Sequence, residues 1–238
     1  MKDLSRFWAY IGDGRLKTDR GLSTINTNLE TIKFFIKWLK QYFNAKIEDI
    51  KVNIFLPRSD FNVNFEKRKW SKLFRVNINS VKSKYKYKGY HKIGIEVGYF
   101  RAISKLILNK LIPVIKKECL INKSFATAYL KGIMAAEGSL KYNKKSHHRS
   151  VHLKMKDKTE VRYVFHLLRF MGLTPSFLFS KQDKEWLVMI NGCSELEELN
   201  EMDIFELNSE RKEKFKQILS ICHHKQVKKR SGEKILPY

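Results

Sequence analysis

The chain has 238 residues, 43% of them hydrophobic and only four of them proline, which supplies a packed core and excludes a disordered or collagen-like protein. Its 48 Lys and Arg against 24 Asp and Glu leave a formal charge of +24, a field that attracts polyanions: nucleic acid first, an acidic membrane surface second. No apolar run approaches the roughly 18 residues that span a bilayer and no leader-like segment stands at the start, so a soluble, intracellular protein with no membrane is expected.

The first element is a short apolar helix, Phe7-Trp8-Ala9-Tyr10-Ile11-Gly12-Asp13-Gly14, stopped by glycine one position after a carboxylate. Two short strands follow, Arg15–Lys17 and Leu22–Asn28, around the turn Thr18-Asp19-Arg20-Gly21. Asn28 is a candidate N-cap for a helix with Leu29, Ile32, Ile36, Leu39 and Phe43 on one face. Strands are expected at Ile50–Leu56, Leu73–Asn79 and Tyr90–Val97, and a closing helix at Tyr99–Lys117.

The order then repeats. Leu130-Lys131-Gly132-Ile133-Met134-Ala135-Ala136-Glu137-Gly138 is a second apolar helix ending in an acid and a glycine, with Glu137 standing 124 residues after Asp13. Strands at Ser139–Asn143 and Ser150–Lys156 flank the turn Lys144–Arg149. A helix carrying Val161, Val164, Phe165, Leu168 and Met171 is stopped by Gly172. Strands at Ser176–Phe179 and Trp186–Ile190 precede helices at Ser194–Met202 and Glu210–Cys222. The basic stretch from His223 to Arg230 has no apolar periodicity and reads as a mobile tail. The fold class is therefore α+β, two tandem αββαββα-like repeats: residues 1–122, residues 123–222, and a tail at 223–238. The longer first repeat carries its excess around Pro57–Lys92. Cys119, Cys193 and Cys222 form no CxxC pair, which argues for a reducing compartment and against a disulfide scaffold or zinc ribbon.

The second acid-glycine stretch resembles the LAGLIDADG motif of homing endonucleases, with Leu130, Gly132, Ala136, Glu137 and Gly138 in register. The first is a looser match, with Trp8 where Gly132 stands and Arg6 where Leu130 stands. The resemblance implies a pseudo-twofold fold with a saddle-shaped antiparallel β-surface, and the two motif helices side by side through Ala9, Gly12, Gly132 and Ala136. It implies an intron-encoded, single-chain, site-specific DNA endonuclease acting as a monomer. The setting would be prokaryotic cytoplasm or an organellar matrix. Asp13 and Glu137 would be metal ligands and catalytic residues, holding Mg²⁺ or another divalent cation such as Mn²⁺. Two neighbouring carboxylates disfavour joint ionisation, and a hard cation with oxygen ligands relieves this. The family also places basic groups around its metals; Lys116 and Arg211 occupy comparable places in the two halves and are candidate catalytic residues.

Strand alternation points to the surface that would meet double-stranded DNA. In the second copy Val151, Leu153 and Met155 face one way, and His152, Lys154 and Lys156 the other, as do Lys141 and Asn143 against Leu140 and Tyr142. In the first copy the outward set is Arg15, Lys17, Thr24, Asn26 and Asn28. Side chains of these types hydrogen-bond base edges in the major groove. Lys84, Lys86 and Lys88 alternate with small and aromatic residues and suit the phosphate backbone. Two rival functions fit the same charge: an RNA-binding intron maturase, with intron RNA as partner, and a catalytically inactive DNA-binding protein on the same fold. Because the chain starts with Met and ends Leu236-Pro237-Tyr238, without a terminal His-Asn, intein splicing is not expected.

Overall fold

The computed structural model describes residues 5, 22–56, 62–83, 94–99, 102–143 and 148–230. The chain divides into two compact units, one of Asp13–Val114 and one of Met1–Gly12 with Ile115–Tyr238. The division falls inside helix α3 (Ala102–Cys119).

In the first unit β1 (Leu22–Asn26) leads to Asn28, whose side chain accepts from the N–H groups of Glu30 and Thr31 and so starts helix α1 (Leu29–Tyr42). The helix buries Ile32, Phe35, Ile36, Trp38 and Leu39 on one face. A 3₁₀ turn (Ile47–Asp49) precedes β2 (Ile50–Leu56), in which Ile50, Val52, Ile54 and Leu56 are buried in alternation. Helix α2 (Val63–Phe74), capped by Asn62, crosses to β3 (Ile78–Ser83), and β4 (Gly94–Tyr99) completes the sheet in the order β1-β4-β2-β3. Two expectations change here. Leu73 and Phe74 end a helix instead of starting a strand: Trp70 stacks on Phe74 at 5.7 Å and donates to Glu66 at 2.6 Å, contacts that need helical spacing. Because that helix intervenes, β3 pairs parallel with β2, so this sheet is mixed and not purely antiparallel. Helix α2 and β3 occupy the extra length foreseen around Pro57–Lys92.

The second unit follows the αββαββα order. Helix α4 (Lys123–Glu137), strands β5 (Gly138–Asn143) and β6 (His148–Met155), helix α5 (Lys158–Phe170), strands β7 (Ser176–Ser180) and β8 (Glu185–Asn191) and helix α6 (Cys193–Glu201) run in sequence, followed by α7 (Ser209–Arg230). Its sheet is antiparallel throughout, in the order β5-β6-β8-β7. Asn122 caps α4 and Asp157 caps α5, and Gly172, at φ +100°, takes the left-handed position that ends α5. Val151, Leu153, Val188 and Ile190 on one face of the sheet are buried, as are Val161, Val164, Leu167 and Leu168 of α5.

Residues 223–230, expected as a mobile tail, continue α7 as helix. The cysteines also depart from expectation. Cys193 and Cys222, 29 residues apart, form a disulfide with a Cα–Cα distance of 5.6 Å, while Cys119 is free and buried. No spacing motif announces a bridge made only when α6 and α7 both pack on the same side of one sheet. Among the described residues no helix is long and apolar enough to cross a membrane.

Candidate active site and nucleic-acid interface

Glu137 is the last residue of α4, and Gly138 turns the chain directly into β5. The last carbonyls of a helix lack a full set of intrahelical donors; here the Gly138 N–H reaches that of Met134. Arg211, at the start of α7, supplies them: its Nη1 donates to the carbonyls of Met134 at 3.0 Å and Ala136 at 3.3 Å, and also to that of Ala135. Asn208 accepts from the Arg211 N–H at 3.1 Å and donates to the Ala135 carbonyl at 3.4 Å. A guanidinium here also opposes the negative end of the helix dipole. At Gly138 a side chain has no room, since a Cβ would lie 3.0 Å from Met134 Cα and closer still to its carbonyl oxygen. The acid-glycine ending of the motif is thus a tight helix-to-strand junction, held from outside by one arginine.

The Glu137 carboxyl is half-buried, and burial pushes its pKa up; Glu185 adds to the rise and Arg211 opposes it. A carboxylate in that position is improved by a bound cation. Its oxygen donors suit a hard divalent ion, although among the described residues no group of three His, Cys, Asp or Glu gathers to hold one. Asp13, the proposed partner ligand, lies outside the described residues, as do Arg15, Lys17, Lys84, Lys86 and Lys88.

The two basic catalytic candidates separate. Arg211 borders Glu137 through the α4 carbonyls, as a positioning group. Lys116 is committed elsewhere: it pairs with Glu160, lies 4.9 Å from the Tyr163 ring centre and 5.8 Å from that of Tyr129. Tyr129 also donates to Glu160, and Tyr163 donates to the Lys116 carbonyl at 2.7 Å. Tyr129 precedes Glu137 by two helical turns, about 12 Å at 1.5 Å per residue. Lys116 therefore ties α3 to α4 and α5, a correction to its candidacy.

On the second sheet the strand registers align Ser139 with His152, Lys141 with Ser150, and Asn143 with His148. These residues share one face with Lys154, the face opposite Val151 and Leu153, as alternation required. Lys141 and Asn143 are exposed, and Lys156 is exposed just beyond the strand. Lys154 is partly covered and pairs with Asp183 of the β7–β8 turn. His152 is corrected: it is only 5% exposed and its Nε2 meets the Ser150 hydroxyl. Its pKa is lowered to about 4, first by burial and then by Lys141, Lys154 and His148. His152 is thus a neutral ring beneath a cationic surface. On the opposite face Arg149 donates to the sulfurs of Cys193 at 3.0 Å and Cys222 at 3.4 Å.

On the first sheet the faces are exchanged relative to expectation. Thr24 pairs with Val97 and Asn26 with Ile95, residues that in turn pair with Val52 and Ile54 of the core. Thr24 is 1% exposed, with no partner for its hydroxyl among the described residues. Asn26 accepts the Asn28 N–H at 2.7 Å, and the Asn28 side-chain oxygen serves the α1 cap. The opposite face carries Ser23, Lys51 and Asn53, with Asn53 donating to Glu96 at 2.9 Å. Lys51 and Asn53 were missed, yet the alternation Ile50-Lys51-Val52-Asn53-Ile54 displays them.

No protein-family model and no curated protein matches the chain. Solved structures do. Full-length DUF199/WhiA from Thermatoga maritima matches at a TM-score of 0.50 with 12% identity, over 92% of this chain and 60% of that one. The N-terminal LAGLIDADG domain of DUF199/WhiA matches at 0.47 with 12% identity, over 85% and 81%. I-DmoI, solved in complex with DNA and Mn, matches at 0.48 with 15% identity, over 84% and 95%. The chain has the LAGLIDADG fold.

Proposed function

We propose that this chain is a single-chain, site-specific DNA endonuclease that hydrolyses phosphodiesters at a divalent-metal centre held by Asp13 and Glu137. The observation that carries the proposal is the junction at Glu137. A half-buried carboxylate with a raised pKa ends the motif helix, and the next residues open a strand whose outward side chains are Lys141 and Asn143. An acid that prefers a cation thus adjoins a surface suited to a polyanion.

The chain's own groups divide the work. Arg211 and Asn208 fix the last turn of α4 and so the direction of Glu137, while Gly138 permits the close turn. Lys141, Asn143 and Lys154 face the duplex, the lysines placing it by charge and the amide by hydrogen bonding. On the first unit Lys51 and Asn53 take the part once assigned to Thr24 and Asn26. A bound Mg²⁺ or Mn²⁺ supplies charge neutralisation and activation of water. In the hydrolysis one P–O ester bond breaks as a water oxygen bonds to phosphorus, and the departing oxygen takes a proton. Linearisation of supercoiled plasmids carrying candidate sites, with Mg²⁺, tests the proposal. Binding without cleavage would favour a silent DNA-binding protein on the same fold.

A further inference from the structure

Helix α2 has no counterpart in the second unit, and its outer surface is chemically unusual. Its inner side buries Glu66, Trp70 and Phe74. Its outer side, with Ile47 and the segment from Val76 to Ile78, walls a groove of about 690 Å³. Lys67, Arg68, Lys72 and Arg75 line it together with Ile47, which is 45% exposed, and the lining contains no carboxylate.

Three features separate this cluster from an ordinary solvated helix face. First, among the described residues none of the four cations is paired with an acid. Lys69 on the same helix approaches Glu66 at 4.0 Å, and Lys33, Lys131, Lys154 and Lys212 have acidic partners too. Second, the cations crowd one another at spacings of one, three and four residues, which disfavours a helix that has nothing to bind. The helix dipole accounts for Lys72 and Arg75 in and after the last turn, but not for Lys67 and Arg68 further up. Third, Arg75 occupies the left-handed cap position, at φ 53° and ψ 42°, where glycine is favoured. A long cation is kept there against the backbone's preference.

Within the first sheet the groove lies on the side opposite Lys51 and Asn53. Ile78 pairs with Val52, on the core side of the first sheet, whereas Lys51 and Asn53 lie on the other side.

We propose that this groove is a second nucleic-acid site, which takes a single-stranded segment with its phosphates on the four cations and an unpaired base against the exposed side chain of Ile47. A duplex presents phosphates but keeps its base faces stacked away, so an exposed apolar side chain beside a cationic rim suits the exposed bases of a single strand. RNA and single-stranded DNA share this chemistry. The groove's volume is of the size that encloses small ligands, so the contact covers a few nucleotides.

The test uses the full chain and three fluorescein-labelled probes, the 12-mers oligo(U) and oligo(dT) and a 12-base-pair duplex, followed by anisotropy. Binding of the single strands should show a salt slope of about −3, from four phosphates at about 0.7 each. Arg68→Glu with Lys72→Glu should weaken single-strand binding at least tenfold and leave duplex affinity within about twofold. Arg68→Gln with Lys72→Gln, which adds no acid, should weaken it in the same direction and guards against a misfolded double variant. Lys37→Glu with Lys214→Glu, equal in charge but outside the groove's lining, should change it little. Preference for oligo(U) would assign the site to RNA, and equal binding to either strand. Equal losses with the groove pair and the remote pair, or equal losses for single strand and duplex, would overturn the site. Neither readout depends on cleavage, so failure here and failure of the endonuclease proposal are distinguishable.

Discussion

Arg211 donates to the carbonyl of Met134 at 3.0 Å and thereby closes the helix that ends in Glu137. A residue 77 positions downstream of the motif helix thus finishes it. Replacing Arg211 with Ala removes the side-chain donor of the Ala136 carbonyl, while Gly138 N–H and Asn208 still serve those of Met134 and Ala135, and should cost about 1 kcal/mol of stability in urea unfolding. It also removes a cation that opposes the rise in the Glu137 pKa. Since a metal ligand must be ionised, the acid limb of the cleavage profile should move to higher pH. Arg211→Lys keeps the charge and loses the fork, so it should restore the pH profile better than the stability.

The buried His152 makes stability depend on pH in a defined window. Its folded pKa of about 4 lies below the ordinary 6.5, so the fold rejects the protonated ring. The stabilisation is complete above pH 6.5 and is lost as pH falls from there through 4, roughly 3 kcal/mol in all. His152→Gln should flatten that part of a urea-midpoint profile between pH 7.5 and 4.5. An unchanged slope in the variant would place the titrating group elsewhere.

Asp183 pairs with Lys154, and under the proposed function it competes with DNA for that cation. Its hydrogen bonds from Lys154 and then Ser180 hold its carboxyl below the usual range, so it is charged at neutral pH. Asp183→Asn should therefore raise duplex affinity about two- to fivefold and steepen the salt slope by about one, as a further phosphate contact becomes available. Lys154→Ala should reverse both changes, in titrations at several salt concentrations.

The motif helix, the strand pair after it and the outward placement of Lys141 and Asn143 were legible because each obeys a single local period. Val151 and Leu153 alternate with polar residues, and α4 ends where Glu137-Gly138 says it should. Thr24 shows why the first sheet was read from the wrong side. A polar residue on a five-residue strand with one strong apolar neighbour, Ile25, looks outward, but pairing with Val97 decides otherwise, and pairing is a tertiary fact.

Helix α2 was hidden for a different reason. Val63, Phe65 and Leu73 are exposed and Glu66 is buried, so its apolar pattern does not follow its inner face. The bridge of Cys193 to Cys222 and the cap from Arg211 to Met134 join segments 29 and 77 residues apart. No local pattern carries such contacts. Lys116 looked catalytic by position, but its charge is answered by Glu160, which only packing of α5 brings to it.

The most direct test is cleavage by Glu137→Gln. The substitution keeps shape and hydrogen-bonding capacity and removes the charged oxygen ligand. The reading predicts that wild-type protein with Mg²⁺ linearises a plasmid bearing its site. The variant should bind the same duplex within about threefold and fail to make the double-strand break, its loss reproduced by Asp13→Asn. It also predicts that Glu137→Gln is no less stable than wild type at pH 7, because it discards a half-buried charge whose pKa burial has raised. Double-strand cleavage at the wild-type rate by either variant would contradict the assignment of these two acids as the catalytic pair.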